Sequence, residues 1–257
     1  MTQALTPTRR ALGLLALPQH VAQSVWRGDA MGPSHAKVIP SGHDALDAEL
    51  PGGGWPCQTL IEILLAQTAQ AEWRLLSPTL AQWVKQGGHV LLIGPPHTPH
   101  LPGLCREGLR DDRLILIDAQ TPAERLWATE QALKARCKSA VLSWLPQVRS
   151  EQIRRLHACA AQHPGPLFVF RPMHVQADSS ASPLRLGLSL GDCPHPLQVE
   201  IIKRRGPVLG RPLSLTHWPA GLRPLLPQTQ PTPQTKPSNT PHHVALDRTA
   251  AQSPALS

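Results

Sequence analysis

The feature that most constrains this chain is an alternation of short, almost unbroken apolar runs with segments of helical periodicity. The runs fall at Thr59–Leu65, His89–Gly94, Leu114–Asp118, Ala140–Leu145 and Pro166–Arg171. Thr59–Leu65 has almost no polar interruption, the character a strand covered on both faces of a parallel sheet requires. Between the runs, Glu72–Gln86 places Leu75, Leu76, Leu80, Trp83 and Val84 on one face of a helix. A Pro-rich loop at Pro95–Pro102 leads to a short helix ending at Leu109. The next helix opens at Thr121, which can cap it, with Pro122 at the first helical position and Glu124 completing a capping box. It is predicted to bury Leu126, Trp127 and Leu133 and to end near Arg136. Ser150–Gln162 forms a further helix with Ile153, Leu156 and Ala160 inward and Arg154 and Arg155 outward. Five strands with helices between them predict an α/β fold whose central sheet is mostly parallel and flanked by helices.

The pattern then changes. Leu184–Leu190, Leu197–Ile202 and Leu209–Thr216 alternate with period two and are joined by short crossings. They predict an antiparallel extension near the C-terminal end of the sheet. Residues 219–257 are dominated by Pro, Gln, Thr and Ser, which cannot bury enough surface to offset ordering entropy, so a disordered Pro-rich tail is expected. Residues 1–24 are read as a weakly ordered N-terminal segment and 25–218 as the folded domain. Within the N-terminal part, a short helix after Pro18 would carry Val21, Val25 and Trp26 on one side. Arg9-Arg10 followed by ALGLLAL is too brief for a signal peptide and lacks a small-x-small cleavage site.

Ahead of the first strand, Leu46 and Leu50 share one face of a short helix that Pro51-Gly52-Gly53-Gly54 must stop. The glycines precede the strand, whereas a phosphate cradle must follow one and open a helix, so they read as a turn. Glu62 is the polar exception in the first strand, and a carboxylate buried there requires a partner. The formal charge of +8 favours anionic partners, nucleic acid first. Five separated cysteines (57, 105, 137, 159, 193), with no CxxC and no zinc spacing, fit a reducing cytoplasm and argue against a metal site. No apolar run reaches the length a membrane helix needs. His97 and His100 lie in the Pro-rich loop without a third ligand, and no Ser sits in a GxSxG elbow.

The order Ser41-Gly42, Leu46-Asp47, Leu50, Gly53-Gly54, Pro56, Glu62-Ile63 resembles the entry to the core of RecA recombinases. More closely, the chain resembles ImuA, a RecA-like family of bacterial damage-inducible mutagenesis cassettes. The stretches that carry this are VWRGDAMG (25–32), SGHDALDAELPGGGWP (41–56), LLIGPPHTPH (91–100), LWATEQAL (126–133), AVLSWLP (140–146), LFVFRP (167–172) and IIKRRG (201–206). The resemblance implies a RecA-like sheet and an accessory role in translesion DNA synthesis during the SOS response. The partners it implies are ImuB, an inactive Y-family-polymerase-like protein, an error-prone replicative-type polymerase, and RecA itself. It implies a cytoplasmic, nucleoid-associated location. Some members of the group carry a label from SulA, the division inhibitor of the same damage response, so an SOS-linked division inhibitor is a rival function. A simple DNA-binding protein is another.

A working RecA-like ATPase needs Gly-Lys-Ser/Thr in its phosphate loop, a carboxylate that orients water, and an Asp for magnesium. At those places this chain has Gln70-Ala71-Glu72, Pro95-Pro96-His97 and Leu142-Ser143-Trp144. Three separate losses predict a chain that is no enzyme, with no catalytic residue, cofactor or metal. The remaining candidates are contact residues. Lys203, Arg204 and Arg205 end a strand and enter a turn, and they are expected to meet DNA or a partner, with Arg154, Arg155 and Arg171 as possible additions to that surface. Trp26 and Arg27 are the candidate partner contacts on the N-terminal helix.

Overall fold

A computed structural model describes residues 37–218 apart from 69–70, 192–195, 208 and 217. The helix expected around Val21–Trp26, the contact candidates Trp26 and Arg27, and the segments 1–24 and 219–257 lie outside the described residues. The described part is an α/β structure built on an eight-stranded sheet. The chain enters through β1 (Val38–Ile39), α1 (Asp44–Asp47) and β2 (Trp55–Pro56), where β1 and β2 pair antiparallel. Gly54 makes this possible, because a Cβ there would lie 2.5 Å from the Ile39 carbonyl oxygen. The triple glycine is therefore a turn, as its position before the strand requires.

The central elements follow as β3 (Leu60–Leu65), α2 (Glu72–Lys85), β4 (His89–Ile93), α3 (Leu101–Arg106), β5 (Leu114–Ile117), α4 (Pro122–Lys134), β6 (Ser139–Trp144), α5 (Ser150–Ala160) and β7 (Leu167–Pro172). After them come β8 (Leu184–Leu190), β9 (Leu197–Lys203) and β10 (Leu213–Leu215). The strand order is β10-β9-β8-β3-β7-β6-β4-β5. All neighbours from β8 to β5 run parallel, and β9 and β10 are antiparallel.

This order dictates where the helices lie. From β3 the chain steps one way to β4 and β5, then returns through β6 and β7. Right-handed crossovers put the outgoing helices on one face and the returning ones on the other. Two core clusters result. Leu75, Leu76, Leu80 and Trp83 of α2 pack with Ile61, Ile63, Phe168 and Phe170, and Trp55 meets Phe168 edge-on with centroids 5.4 Å apart. Leu126 and Leu133 of α4 and Ile153 and Leu156 of α5 pack with Leu60, Val141, Leu167 and Val169. Every residue of β3 is buried, so the apolar run is explained by two covered faces.

Two expectations need correction. Leu184–Leu190 was expected to open an antiparallel extension, yet β8 pairs parallel with β3 and only then antiparallel with β9. Residues 173–183 carry the chain across β3 with a single 3-10 turn, Met173–Val175, too short to leave a helical signature. The β8–β9 connection is shorter still and permits only a reversal. Trp127, expected in the core, is 65% exposed, because α4 turns Leu126, Thr129 and Leu133 inward and leaves Trp127 about a third of a turn outside that arc. The capping box at Thr121 is present: Thr121 Oγ1 accepts from the Glu124 N–H at 3.2 Å, and Glu124 Oε2 accepts from the N–H groups of Thr121 and Gln120 at 3.0 and 2.9 Å. Those amides hold the Glu124 carboxyl below its ordinary pKa.

Candidate functional site

In open parallel sheets ligands bind at the carboxyl ends of the strands, near the point where the strand order reverses. Here β3 lies between strands reached in opposite directions, so the exit of β3 is the first place to examine. The chain leaves Leu65, turns through residues 66–71 and begins α2 at Glu72. Instead of facing an anion in solvent, the helix start is met by its own first side chain. Glu72 is 2% exposed, and its carboxylate accepts from the Ala71 N–H at 3.0 Å and from Trp144 Nε1 at 3.4 Å. A carboxylate beside a helix N-terminus is favourable for the same reason a phosphate is. Trp144 ends β6 and stacks on Phe170 with centroids 4.6 Å apart. Glu72 and Trp144 stand where the resemblance puts the phosphate-loop end and the magnesium-binding strand end. The structure joins these positions through a hydrogen bond inside the protein.

Glu62 also has its partners. It is completely buried, receives Arg171 Nη1 at 2.6 Å and Arg185 Nε at 2.9 Å, and accepts from Ser180 Oγ at 2.6 Å. The register brings these residues together: Glu62 lies opposite Arg185 on β8 and Leu64 opposite Arg171 on β7. Arg185 further donates to the carbonyls of Val175, Gln176 and Asp178, which fastens the crossing segment to the sheet. Arg171 Nη2 donates to the Val148 carbonyl at 3.1 Å, while its Nε finds no partner among the described residues. Arg171 is thus withdrawn from any surface with Lys203–Arg205. The sequence carried a signal for this network that sequence reasoning did not use. An Arg in LFVFRP and an Arg in LRLGLSL are as anomalous in buried strands as Glu62 is in LIEILL, and opposite charges in adjacent buried strands require one another.

The three candidate cations at 203–205 do not act as one group. Lys203 is exposed and its Nζ donates to the Ser180 carbonyl at 2.8 Å. Arg204 folds back to an ion pair with Glu49 at 2.7 Å and to the carbonyls of Glu49 and Pro207, leaving its side chain 5% exposed. Arg205 remains exposed. Arg155 pairs with Glu130 across α4 and α5 at 2.5 Å. Lys203 comes close enough to His157 on α5 for its charge to add to burial in lowering that imidazole's pKa. Among the described residues no three His, Cys, Asp or Glu side chains gather as metal ligands, and no helix is long and apolar enough to cross a membrane.

At the same carboxyl edge two hollows adjoin. The larger, about 490 Å³, opens between the starts of α4 and α5 and is lined by Arg125, Arg149, Gln120, Gln147, Gln152 and Pro146 among others. The smaller, about 190 Å³, shares Arg125 and Pro146 and reaches Trp144, Phe170 and Arg171. Neither was foreseen, because residues so far apart in sequence meet only through the strand order.

No protein-family model matches the chain. Among curated proteins it is similar to proteins named cell division inhibitor SulA. It is 29% identical to that of Photorhabdus laumondii over 115 residues, 45% of this chain and 65% of the relative. It is 29% identical to that of Serratia marcescens over 111 residues, 43% and 66% respectively. With that of Yersinia enterocolitica the identity is 26% over 140 residues, 54% and 80%. The chain spans just under two thirds of the first two relatives' length, and more than half of the chain lies outside those two matches.

Proposed function

We propose that this chain is a non-catalytic accessory protein of the bacterial response to DNA damage, with a RecA-like core that works by protein contact. The observation that carries the reading is the Glu72 carboxylate, buried at the head of α2 and tied to Trp144. An anionic phosphate would have to displace a carboxylate already bonded there, and no lysine is present in residues 66–72 to compensate. The site therefore serves the fold. Within that class, the ImuA-like stretches over most of residues 25–206 support a role beside an ImuB-like partner and an error-prone polymerase in translesion synthesis, with RecA as a further contact.

The relatives named cell division inhibitor support a second reading, in which the chain blocks division by binding a component of the division machinery. The two separate in one experiment. Affinity-tagged chain is recovered from damage-treated cells, and cell length is measured alongside damage-induced mutation frequency after deletion and overexpression. Co-recovery of the polymerase partners and lost induced mutagenesis on deletion support the first reading. Filamentation on overexpression without a change in mutagenesis supports the second. Protein-dependent ATP hydrolysis that survives rigorous purification would sink the first.

A further inference from the structure

We infer that the larger hollow between the starts of α4 and α5 is a binding site for a nucleotide phosphate, distinct from the closed position at α2. Its volume, about 490 Å³, suits a nucleotide-sized guest. Its lining holds two guanidiniums, Arg125 and Arg149, and three amides, Gln120, Gln147 and Gln152, with no Asp or Glu among the described lining residues. Of the nearby carboxylates, Glu124 is turned to the N–H groups of Gln120 and Thr121, and Asp118 takes the side-chain amide of Gln120. Apolar walls from Leu126, Leu145 and Pro146 complete a cavity with a body surface and a charged end.

The cationic side is held in place. Arg125 donates through Nε to the Ala119 carbonyl at 2.9 Å and through Nη1 to the Trp144 carbonyl at 3.5 Å, which leaves Nη2 without a protein partner among the described residues. Its course depends on Gly94, at φ +56°, where a Cβ would stand 2.6 Å from Arg125 Nε. Both helices begin at this end of the sheet, so their first-turn amides lie there. A separate observation points the same way. The adjoining hollow ends on Arg171, whose side chain is 5% exposed and whose Nε is unpartnered among the described residues, beside a Glu62 that must already balance two guanidiniums. A phosphate oxygen between Arg125 and Arg149 would meet charge-assisted donors.

The phosphate can come from a free nucleotide or from a single-stranded nucleic acid backbone, and the same chemistry serves both. The test uses the full chain in EDTA, with thymidine monophosphate followed by calorimetry and a fluorescent short oligothymidylate followed by anisotropy across a salt series. The variants are Arg149→Gln, exposed and free of the core; Gly94→Ala, which displaces Arg125; and, as a control, Lys203→Ala with Arg205→Ala. Binding of either probe, weakened about tenfold or more by Arg149→Gln and by Gly94→Ala but not by the control, supports the site. Loss of about one phosphate contact from the salt slope in Arg149→Gln marks the oligonucleotide as the guest. Binding of the mononucleotide alone assigns the free form. No binding of either probe, or binding that follows Lys203 and Arg205 while Arg149→Gln is unaffected, overturns the inference. The outcome is independent of partner recovery from cells, so each reading can fail alone.

Discussion

Two buried carboxylates ten residues apart, Glu62 and Glu72, meet burial in opposite ways. Glu62 sits in the middle of a parallel sheet, where only other side chains can reach it, and it is held by two guanidiniums and a hydroxyl. Glu72 sits at a helix start, where the backbone supplies an N–H and the end of a neighbouring strand supplies an indole. The first carboxylate was bound to demand long-range charge partners, which a strand register can deliver. The second draws one donor from the start of its own helix and another from the end of β6. A carboxylate in a strand must be met wholly by tertiary contacts, whereas one at a helix start has a backbone donor supplied locally. Their consequences differ accordingly: Glu62 ties three strands and a crossing segment together, while Glu72 joins the start of α2 to the end of β6.

The largest test of the contrast is Glu62→Ala. It leaves Arg171 and Arg185 facing one another without a counter-charge in a dry interior, which is expected to cost about 3–5 kcal/mol. Urea denaturation followed by tryptophan fluorescence should show the midpoint falling or the fold lost. A triple replacement of Glu62, Arg171 and Arg185 by apolar residues of similar volume should recover most of that loss, because ion networks of this kind do little better than a packed core. If Glu62→Ala were as stable as the parent, the carboxylate would be ornamental and the contrast would collapse.

Glu72→Ala is expected to be milder, about 1.5–3 kcal/mol, the usual worth of hydrogen bonds to a charged acceptor. Trp144→Phe, which keeps the stacking on Phe170 and removes the donor, should cost about 1 kcal/mol. Their double variant should cost less than the sum, since both remove one bond. Strict additivity would show that Glu72 and Trp144 do not act together. Opening the helix start by Glu72→Ala should not create ATP binding, because residues 66–72 lack a lysine.

How much of this was legible in the sequence follows the same division. The five apolar runs, the capping box at Thr121 and the triple-glycine turn rest on local chemistry, and all are where their residues place them. That Glu62 needed a partner followed from its surroundings, but the identity of that partner depends on β8 crossing to the far side of β3, and residues 173–183 carry no pattern that announces a crossover. Trp127 was misplaced because a large apolar residue on a helix was assigned inward by type, whereas the angle between it and Leu126 and Leu133 decides. Arg204 was grouped with its neighbours by adjacency, and successive residues at a strand end point apart. The hollow at Arg125 and Arg149 joins two loops that the strand order alone makes neighbours.

A third class of buried titratable group shifts the balance between burial and hydrogen bonding. The imidazoles of His43 and His163 approach the carbonyls of Leu75 and Ser139 at 3.1 and 2.7 Å, yet burial outweighs those contacts and lowers both pKa values. Burial, with the charge of Lys203, does the same to His157. In each case the unfolded chain binds a proton more readily than the folded one. Stability is then fully present above the ordinary imidazole value of 6.5 and declines as the pH falls through the lowered folded values. Thermal melts from pH 7.5 down to 5 should show a falling midpoint, and His163→Gln should flatten the decline. A midpoint that rises on acidification would reverse the sign assigned to all three.

The smallest effect belongs to Trp127. At 65% exposure it gives up little apolar contact when replaced, so Trp127→Gln should change stability by no more than about 0.5 kcal/mol. That makes the variant informative about function, because a fold-neutral change separates docking from stability. If Trp127 forms part of a partner surface, Trp127→Gln should lower recovery of the partner from damage-treated cells while the urea midpoint stays in place. If recovery is unchanged, contact must be made through other surfaces. A large drop in midpoint would instead mean that the side chain packs inward in solution, returning it to the core to which its residue type first assigned it.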